Sequence, residues 1–377
     1  MRRIAAVTGL LALLSVSCSA RTPLTAESPS PSESSPQVVV SASPSPSAVR
    51  APRLRAAVYV SEGSLWMYEA VTDRVSELAR GDGMRLPRWM STTTVSFVQD
   101  RESGSATLRA YDMTTQEVRD IVSVATGIDA YGWSPERHLL AYITTDSQSY
   151  PHLNFQEVVG GGATMPVATL GRAFGRELTP YDDRRIEFSP DGSRVLVAYT
   201  PADGEPGRTP TADESPLQVR GADGSRQFAV ATDREPSMAV WSVDGARAYY
   251  RDEGGTHAWV AATGRTERAP GNPAWFNPSA SKDGKWIAYD TGATTKSVAV
   301  QMVDLGTGKR TKLSGAGWFH PVAANERTVW VQRAQPCSPD CLQPVVPGPE
   351  VAALDTRTLK ERKLALPTLV GADFLYR

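Results

Sequence analysis

The sequence predicts an all-β protein, a single β-propeller with seven blades of four antiparallel strands. Three observations predict it. A pattern of short strands and polar turns recurs seven times between Arg53 and Arg377, most copies contain a tight turn between two apolar strands, and the chain ends in an isolated strand that the first copy lacks. One small sheet cannot bury both faces until neighbours stack against it, so a repeat of this size favours a propeller.

The N-terminus has the three zones of an export signal. Arg2 and Arg3 precede the apolar run from Ile4 to Leu14, and small residues surround Cys18. The segment ending at Cys18 resembles the lipobox of bacterial lipoproteins, whose cysteine thiol is diacylated. It departs from that pattern because Ser15 stands where leucine is usual. Residues 1–18 are therefore predicted to be a lipoprotein-type signal peptide that leaves the protein anchored to the outside of the cell membrane. The alternative is a secreted or periplasmic protein cleaved after Ala20.

Residues 19–52 are rich in Ser-Pro steps and contain almost nothing that could pack. Such a segment cannot bury enough apolar area to offset its conformational entropy, so we expect a disordered tether. It would hold a propeller of residues 53–377 at some distance from a lipid-bearing Cys18. No other stretch is long and apolar enough to span a bilayer.

The turns inside the repeat support the strand count. In the fourth copy Ser189-Pro190-Asp191-Gly192 lies between two apolar runs, and the next two copies carry Asp244-Gly245 and Asp283-Gly284. Asp-Gly supplies the positive φ angles of a tight hairpin turn. These motifs are therefore predicted to be turns.

The two ends of the chain complement each other. The first copy begins directly with the strand at Arg55 to Val60, whereas Gly371 to Arg377 reads as an opening strand with nothing after it. If that strand joins the first blade, the ring closes and no sheet edge is exposed to aggregation. Seven copies give about 46 residues per unit, a usual repeat length. The longer units at Trp133 and Phe188 leave six or eight blades open.

The remaining cysteines fit an oxidising compartment. Cys337 and Cys341 stand close together in a Pro-rich turn, and we expect them to form a disulfide. Their spacing could instead serve a metal or redox role. A zinc site would need two more ligands, and the sequence has no second Cys or His cluster.

Charge and motifs exclude several functions. The chain has 40 basic and 41 acidic residues, whereas nucleic-acid binding needs a clustered basic surface. There is no nucleophile elbow, H-E-x-x-H helix, P-loop or calcium loop. No catalytic residue, cofactor or metal site is therefore predicted. Of the four histidines, His320 follows Trp318 and Phe319 near an opening strand and is a candidate to line the central channel.

The turn motif also carries a family resemblance. Phe188 to Ala198 resembles the Ser-Pro-Asp-Gly turns of TolB-like and WD-repeat-like propellers, and Trp133 to Pro135, Trp241-Ser242 and Ile287 to Tyr289 match in part. The resemblance implies four-stranded blades in an envelope protein that docks other proteins. TolB itself has an additional N-terminal α/β domain and a different blade count, so its own partners do not transfer.

Loop length suggests where a partner would bind. In four-stranded blades the loops between strands two and three and the links between blades emerge on one face. That face receives the long insertions Thr144 to His152, Leu170 to Arg185, Thr200 to Pro216 and Arg333 to Pro349. Long loops on one face of a rigid scaffold are common binding sites. The candidate binding residues of the second insertion are Arg172, Arg176, Tyr181, Asp182, Asp183 and Arg185. These charges could instead simply solvate a long loop.

Together these features favour a non-enzymatic, monomeric binding protein that docks an envelope protein or a cell-wall glycan and binds the membrane through its lipid. A second hypothesis is a glycan-directed hydrolase or lyase with Asp182 or Asp183 at the channel mouth. That reading requires paired carboxylates about 5 to 10 Å apart. A third is a small-ligand sensor that uses the channel as its pocket.

Overall fold

The computed structural model describes residues 52–145, 151–158, 165–169, 185–198, 215, 217–230, 239–252, 254–271, 275–292, 294–336 and 345–376. Within these ranges the chain contains 28 strands and no helix. The strands form seven four-stranded antiparallel sheets. The predicted seven-bladed propeller is confirmed, and the alternatives of six or eight blades are wrong.

Each sheet is one blade, and the blades are numbered from the N-terminus. Blade 1 consists of β1 (Leu54–Ser61), β2 (Ser64–Glu69), β3 (Arg74–Arg80) and the C-terminal β28 (Asp373–Tyr376). Blade 2 consists of β4 (Met84–Trp89), β5 (Thr94–Asp100), β6 (Ala106–Asp112) and β7 (Glu117–Val124). Blade 3 consists of β8 (Ala130–Ser134), β9 (Leu139–Thr145), β10 (Pro151–Glu157) and β11 (Met165–Thr169).

Blade 4 consists of β12 (Arg185–Phe188), β13 (Arg194–Ala198), β14 (Leu217–Gly221) and β15 (Arg226–Ala229). Blade 5 consists of β16 (Val240–Trp241), β17 (Arg247–Asp252), β18 (Gly255–Val260) and β19 (Arg265–Arg268). Blade 6 consists of β20 (Phe276–Ala280), β21 (Trp286–Thr291), β22 (Ala299–Asp304) and β23 (Arg310–Lys312). Blade 7 consists of β24 (Trp318–Asn325), β25 (Thr328–Pro336), β26 (Val345–Asp355) and β27 (Glu361–Leu364).

The first strand of each blade is its inner strand, because first strands contact one another at five of the seven junctions between blades, for example β8 with β12 and β20 with β24. In blade 1 that position belongs to β28, which pairs antiparallel with β1 and brings Tyr376 opposite Leu54. The C-terminal strand therefore closes the ring, as predicted. Closure leaves β1 paired on both sides.

The hydrophobic core is divided among the gaps between blades. Seven buried clusters occupy the seven gaps, and each cluster draws residues from two neighbouring blades. Between blades 7 and 1, for example, Trp330 meets Tyr68 edge to face with ring centroids 5.6 Å apart. A blade thus buries both its faces only when both neighbours are present.

The predicted Asp-Gly turns are present, and their serine holds them together. In blade 4 the Ser189 hydroxyl donates to Asp191 Oδ1 at 2.6 Å and accepts the N–H of Arg194 at 3.0 Å. The glycine that follows, Gly192, has a φ of 65°. Ser242 and Asp244 repeat this arrangement in blade 5, and Ser281 and Asp283 repeat it in blade 6.

Strand direction gives the ring two faces. The turn face carries the connections between strands one and two and between strands three and four. The loop face carries the connections between strands two and three and between blades. Since β1 is the second strand of its blade, residue 52 enters at the turn face. There Arg53 lies 3.7 Å from Glu326, a residue of a blade 7 turn.

Two predicted insertions on the loop face are shorter than expected. Arg333 to Pro336 continue β25 and Val345 to Pro349 belong to β26, with Gln335 opposite Val346. In blade 3, Thr145 pairs with Pro151. Continuing the ladder gives these backbone groups hydrogen-bond partners, which is why the hairpins extend beyond the expected strand ends. The predicted insertion at residues 170–185 is described only at Arg185, and that at 200–216 only at Ser215.

Candidate functional site

Most of the predicted site residues lie outside the described part of the chain. Cys18, Cys337 and Cys341 lie outside the described residues, and so do Arg172, Arg176, Tyr181, Asp182 and Asp183. Arg185 opens β12, where its backbone pairs with Ala198. The lipid anchor, the disulfide and the loop-borne binding site therefore stay predictions. His320 is the one predicted residue whose surroundings are described.

His320 lies on an inner strand near the loop face. It is the third residue of β24, has a φ of 52°, and its ring lies 6.2 Å from that of Phe319. Its backbone N–H donates to Asp290 Oδ2 at 3.0 Å. The neighbouring carboxylate comes from blade 6, so His320 takes part in a contact between two blades.

Asp290 is a buried carboxyl group between blades 6 and 7. Its side chain also accepts a hydrogen bond from Asn277 Nδ2 at 2.7 Å, and the residue is only 2 % exposed. Burial raises the pKa of Asp290 to about 7, against the lowering effect of the Asn277 and His320 hydrogen bonds. Its second oxygen, Oδ1, is buried and makes no hydrogen bond with any other described residue. A carboxyl group that is half protonated near neutral pH can act as an acid or a base, but this one is shut off from solvent.

The backbone around Asp290 follows a pattern repeated in three blades. Leu86, Asn277 and His320 each precede a proline, have φ angles of 50°, 45° and 52°, and lie within a bulge of an inner strand. Positive φ is uncommon outside glycine, and bulges re-aim neighbouring groups. In blade 6 the bulge places the Asn277 amide on Asp290. In blade 7 it aims the His320 N–H at the same carboxylate.

A second polar cluster, here called the channel cluster, draws on inner strands and turns of several blades. Asp373 of β28 accepts the backbone N–H of Trp89 at 2.7 Å and lies 3.8 Å from Arg88 Nη1. Across the ring, Lys282 Nζ lies 4.1 Å from the centre of the Tyr376 ring. The Tyr376 hydroxyl donates to Ala323 O at 2.9 Å. The cluster thus joins blades 1, 2, 6 and 7.

Lys282 is the member of this cluster whose charge is opposed by burial. Burial lowers the pKa of its ammonium group, while the carboxylates of Glu187 and Asp373 act in the opposite direction. No carboxylate oxygen among the described residues forms an ion pair with it. The channel cluster thus presents the carboxylate of Asp373 and the cations of Arg88 and Lys282.

The loop face carries a rigid hairpin built from β25 and β26. Gln332 is 1 % exposed, donates from Nε2 to Gly348 O at 2.8 Å and accepts the Leu369 N–H at Oε1 at 2.8 Å. One side chain thus fixes both the hairpin and the segment that leads to β28. Just beyond it, the exposed Arg333 guanidinium lies 4.8 Å from the ring centre of the buried Trp318. Stacking on an indole face holds this cation without an ion pair.

Two grooves open between blades. One, of about 520 Å³, separates blades 5 and 6 and includes Asp244, Arg247 and Glu267. The other, of about 460 Å³, separates blades 7 and 1 and includes Leu54, Trp330 and Arg362. Both are lined largely by residues of the turns and outer strands. Neither groove contains the channel cluster or Asp290.

The described part of the chain contains neither a metal-site cluster nor a membrane-spanning helix. Among those residues no three His, Cys, Asp or Glu side chains are grouped as a metal site would require. The same residues include no helix capable of spanning a membrane.

Sequence reasoning missed Asp290, Lys282 and Gln332. The available signals were weak: Asp290 and Gln332 are polar residues near the end of otherwise apolar strands, and Lys282 stands inside a turn motif. The X-Pro step of the inner strands was a better signal. It marks all three bulges.

Comparison with known proteins places the fold. An oligogalacturonate lyase in complex with manganese is 12 % identical over 78 % of this chain and 84 % of its own, with a TM-score of 0.56. A puromycin-hydrolysing peptidase of Mycobacterium tuberculosis is 13 % identical over 84 % of this chain but 55 % of its own, with a TM-score of 0.53. TolB from Acinetobacter baumannii is 14 % identical over 84 % of this chain and 81 % of its own, with a TM-score of 0.45.

No protein-family model matches the chain, and no curated protein matches its sequence. At such low identities the structural similarity concerns the fold alone. The β-propeller predicted from the repeats is confirmed by the ring of seven four-stranded sheets.

Proposed function

We propose that this protein is a membrane-tethered binding module outside the cytoplasm, and that its loop face docks another protein of the cell envelope. The observation that carries the proposal is the separation of the two faces. The described domain begins at residue 52 on the turn face, while the longest connections link strand ends on the opposite, loop face. A tether through Cys18 would therefore leave the loop face free.

The framework around the loop face supports docking. Binding surfaces work best when loops are held by a rigid scaffold. The β25–β26 hairpin extends beyond the sheet by paired strands, and Gln332 fixes its base through buried hydrogen bonds. The paired stem therefore ends at Pro336 and Val345, which flank residues 337–344 and the predicted disulfide in the sequence.

Arg333 is the described residue best suited to contact a partner. Its guanidinium is exposed, lies over Trp318 and has no ion pair within the described part of the chain. Arginine and tryptophan are enriched among residues that dominate protein–protein binding energy. A stacked guanidinium loses little side-chain entropy when a partner carboxylate approaches.

A pull-down from detergent-solubilised envelope tests the proposal. The bait is the full chain, beside three variants: Arg333→Ala, the matched loop-face change Arg101→Ala, and a Gly-Ser replacement of Leu170 to Arg185. Arg101 is also exposed on the loop face and lies on blade 2. We expect a specific partner that is retained by Arg101→Ala and lost or weakened, about tenfold, by the other two changes.

Three outcomes would contradict this proposal. A partner that is indifferent to all three changes would exclude the loop face as the docking surface. Retention on purified cell-wall glycan, with no protein partner, would show that the module binds glycan instead. Turnover of a glycan, with loss of polymer length, would establish the hydrolase or lyase alternative.

A further inference from the structure

The turn face carries an arc of exposed basic and apolar side chains on three neighbouring blades. The arc follows the turns between strands three and four of blades 6, 7 and 1, where residues 305–309, 356–360 and 70–73 connect the strands. Its members are Val71, Lys309, Arg310, Arg357, Leu359 and Lys360, and all are exposed. We refer to these six residues as the basic arc.

The cations of the basic arc are not neutralised. Within the described ranges, none of Lys309, Arg310, Arg357 and Lys360 forms an ion pair. The nearby aspartates are engaged by other groups: Asp304 accepts the Thr307 N–H at 2.7 Å, and Asp355 accepts the Thr358 N–H at 2.7 Å and lies 3.6 Å from Arg327. Those hydrogen bonds hold the two carboxylates to their own turns, while the four cations are exposed.

The same turns expose apolar side chains. Val71 is 73 % exposed and Leu359 is 49 % exposed, and they lie on the neighbouring blades 1 and 7. Most large hydrophobic residues of the described chain are buried in the gaps between blades. Leu359 is held outward by a left-handed backbone, with a φ of 57°. Cations interspersed with exposed apolar groups are typical of surfaces that bind anionic lipid headgroups.

The arc lies where the chain would approach a membrane. Leu54, two residues after the first described one, lines the groove between blades 7 and 1, and Arg53 contacts a blade 7 turn. The attachment point of the tether therefore lies among the arc's own blades. The net charge of the whole chain is only −1, so positive charge at this position reflects its distribution on the surface.

We infer that the basic arc is a peripheral membrane-binding surface that docks the turn face on anionic lipid headgroups. Each cation near an anionic bilayer strengthens binding, and Val71 and Leu359 would insert shallowly beside them. This inference rests on the proposed function, because the tether is what brings the turn face to the membrane. With the turn face against lipid, the loop face points away from the bilayer towards its partner.

Vesicle co-sedimentation tests the arc without using the lipid anchor. The full chain carrying Cys18→Ser is mixed with phosphatidylcholine vesicles, or with vesicles of phosphatidylcholine and phosphatidylglycerol in equal parts. We expect stronger binding to the anionic vesicles, which salt of about 1 M abolishes because the Debye length falls to about 3 Å. Removing one cation should weaken binding about fivefold.

A matched pair of variants locates the effect. One carries Lys309→Gln, Arg310→Gln, Arg357→Gln and Lys360→Gln. The other carries Arg101→Gln, Arg119→Gln, Arg137→Gln and Lys296→Gln, four exposed cations outside the arc. Both lose the same charge, but only the first should lose the preference for anionic vesicles. Val71→Ser with Leu359→Asn should weaken binding and leave its salt dependence intact.

Equal binding to neutral and anionic vesicles, or equal loss in both charge variants, would overturn the inference. Thermal unfolding of each variant shows that a loss of binding is not a loss of fold. The pull-down with the arc variant separates the two proposals. If the arc variant no longer binds vesicles but retains a loop-face partner, the docking proposal is supported independently of the arc. If only the pull-down fails, the vesicle result still supports the arc.

Discussion

The backbone N–H of His320 donates to Asp290 Oδ2 at 3.0 Å, and this bond joins the inner strand of blade 7 to the second strand of blade 6. The carboxyl group is buried, and Asn277 holds it from the other side. A propeller depends on the contacts between its blades, so the protonation state of Asp290 should influence stability.

The first prediction concerns pH. Burial raises the pKa of Asp290 from 3.8 to about 7, so the folded state holds the proton more tightly than the unfolded state. The stability from this proton is fully present below pH 3.8 and is lost as pH rises to about 7, a change of roughly 4 kcal/mol at most. Asp290→Asn should flatten this part of the profile. Urea unfolding from pH 4 to pH 8 measures it.

A control for this prediction has the opposite sign. Hydrogen bonds from Ser189 and Ser193 lower the pKa of Asp191 to about 2, so its contribution is present above pH 3.8 and lost as pH falls. Asp191→Asn should therefore change the acid limb only. If Asp290→Asn reproduced the wild-type profile between pH 4 and pH 8, Asp290 would not titrate in that range.

The second prediction concerns Gln332. Gln332→Ala leaves the Gly348 carbonyl and the Leu369 N–H without their buried partner, and it opens a small cavity. We expect a loss of about 3 kcal/mol in the free energy of unfolding. The exposed Gln335, on the same strand, provides the control, since Gln335→Ala should cost less than about 0.5 kcal/mol. Similar losses in both variants would show that the hairpin stem does not depend on Gln332.

The third prediction concerns Lys282. Burial penalises its ammonium group, which forms no ion pair with any other described residue, and so lowers its pKa. The folded state therefore becomes more stable as pH rises from that lowered pKa towards the pKa of an unfolded lysine. Lys282→Met keeps an unbranched side chain against Tyr376 and removes the desolvation penalty. We expect a gain of about 1 kcal/mol at neutral pH, measured by thermal unfolding. A loss of stability would mean that attraction to Glu187 and Asp373 outweighs desolvation.

The fourth prediction concerns closure. Deleting residues 373–377 removes β28 and exposes the edge of β1, which then offers unpaired backbone groups to other chains. We expect this variant to elute as soluble aggregates in size-exclusion chromatography, whereas deletion of Arg377 alone leaves a monomer. Tyr376→Phe should cost about 1 kcal/mol, because the Ala323 carbonyl loses its hydrogen bond. A monomeric, cooperatively folding deletion variant would show that the ring does not require β28.

The fold was predictable because its signals are local and repeated. Each Asp-Gly turn specifies a hairpin by itself, and several copies fix the period even where one copy is degenerate. Closure was predictable for a different reason: Gly371 to Arg377 has strand character and no sequential partner, while the first copy lacks the same strand.

The polar sites were harder to predict because they depend on contacts between distant blades. Asp290 and His320 are 30 residues apart, and Trp89 and Asp373 are 284 apart. No spacing rule links such pairs, so only the ring geometry brings them together. The predicted lengths of the loop-face insertions were wrong for a local reason: backbone pairing between adjacent strands extends them. Strand pairing continued past Arg333 where composition alone suggested a loop.

Ring closure also determines the order in which the molecule can be completed. A chain is made from its N-terminus, so β1, β2 and β3 exist long before β28, and the first blade to be synthesised is the last to receive its inner strand. Until then both ends of the row of blades lack a neighbour. Such long-range pairing slows folding, since the loop-closure entropy of bringing distant segments together is lost before their contacts stabilise the fold. The final four-residue strand thus converts an open row of sheets into a ring.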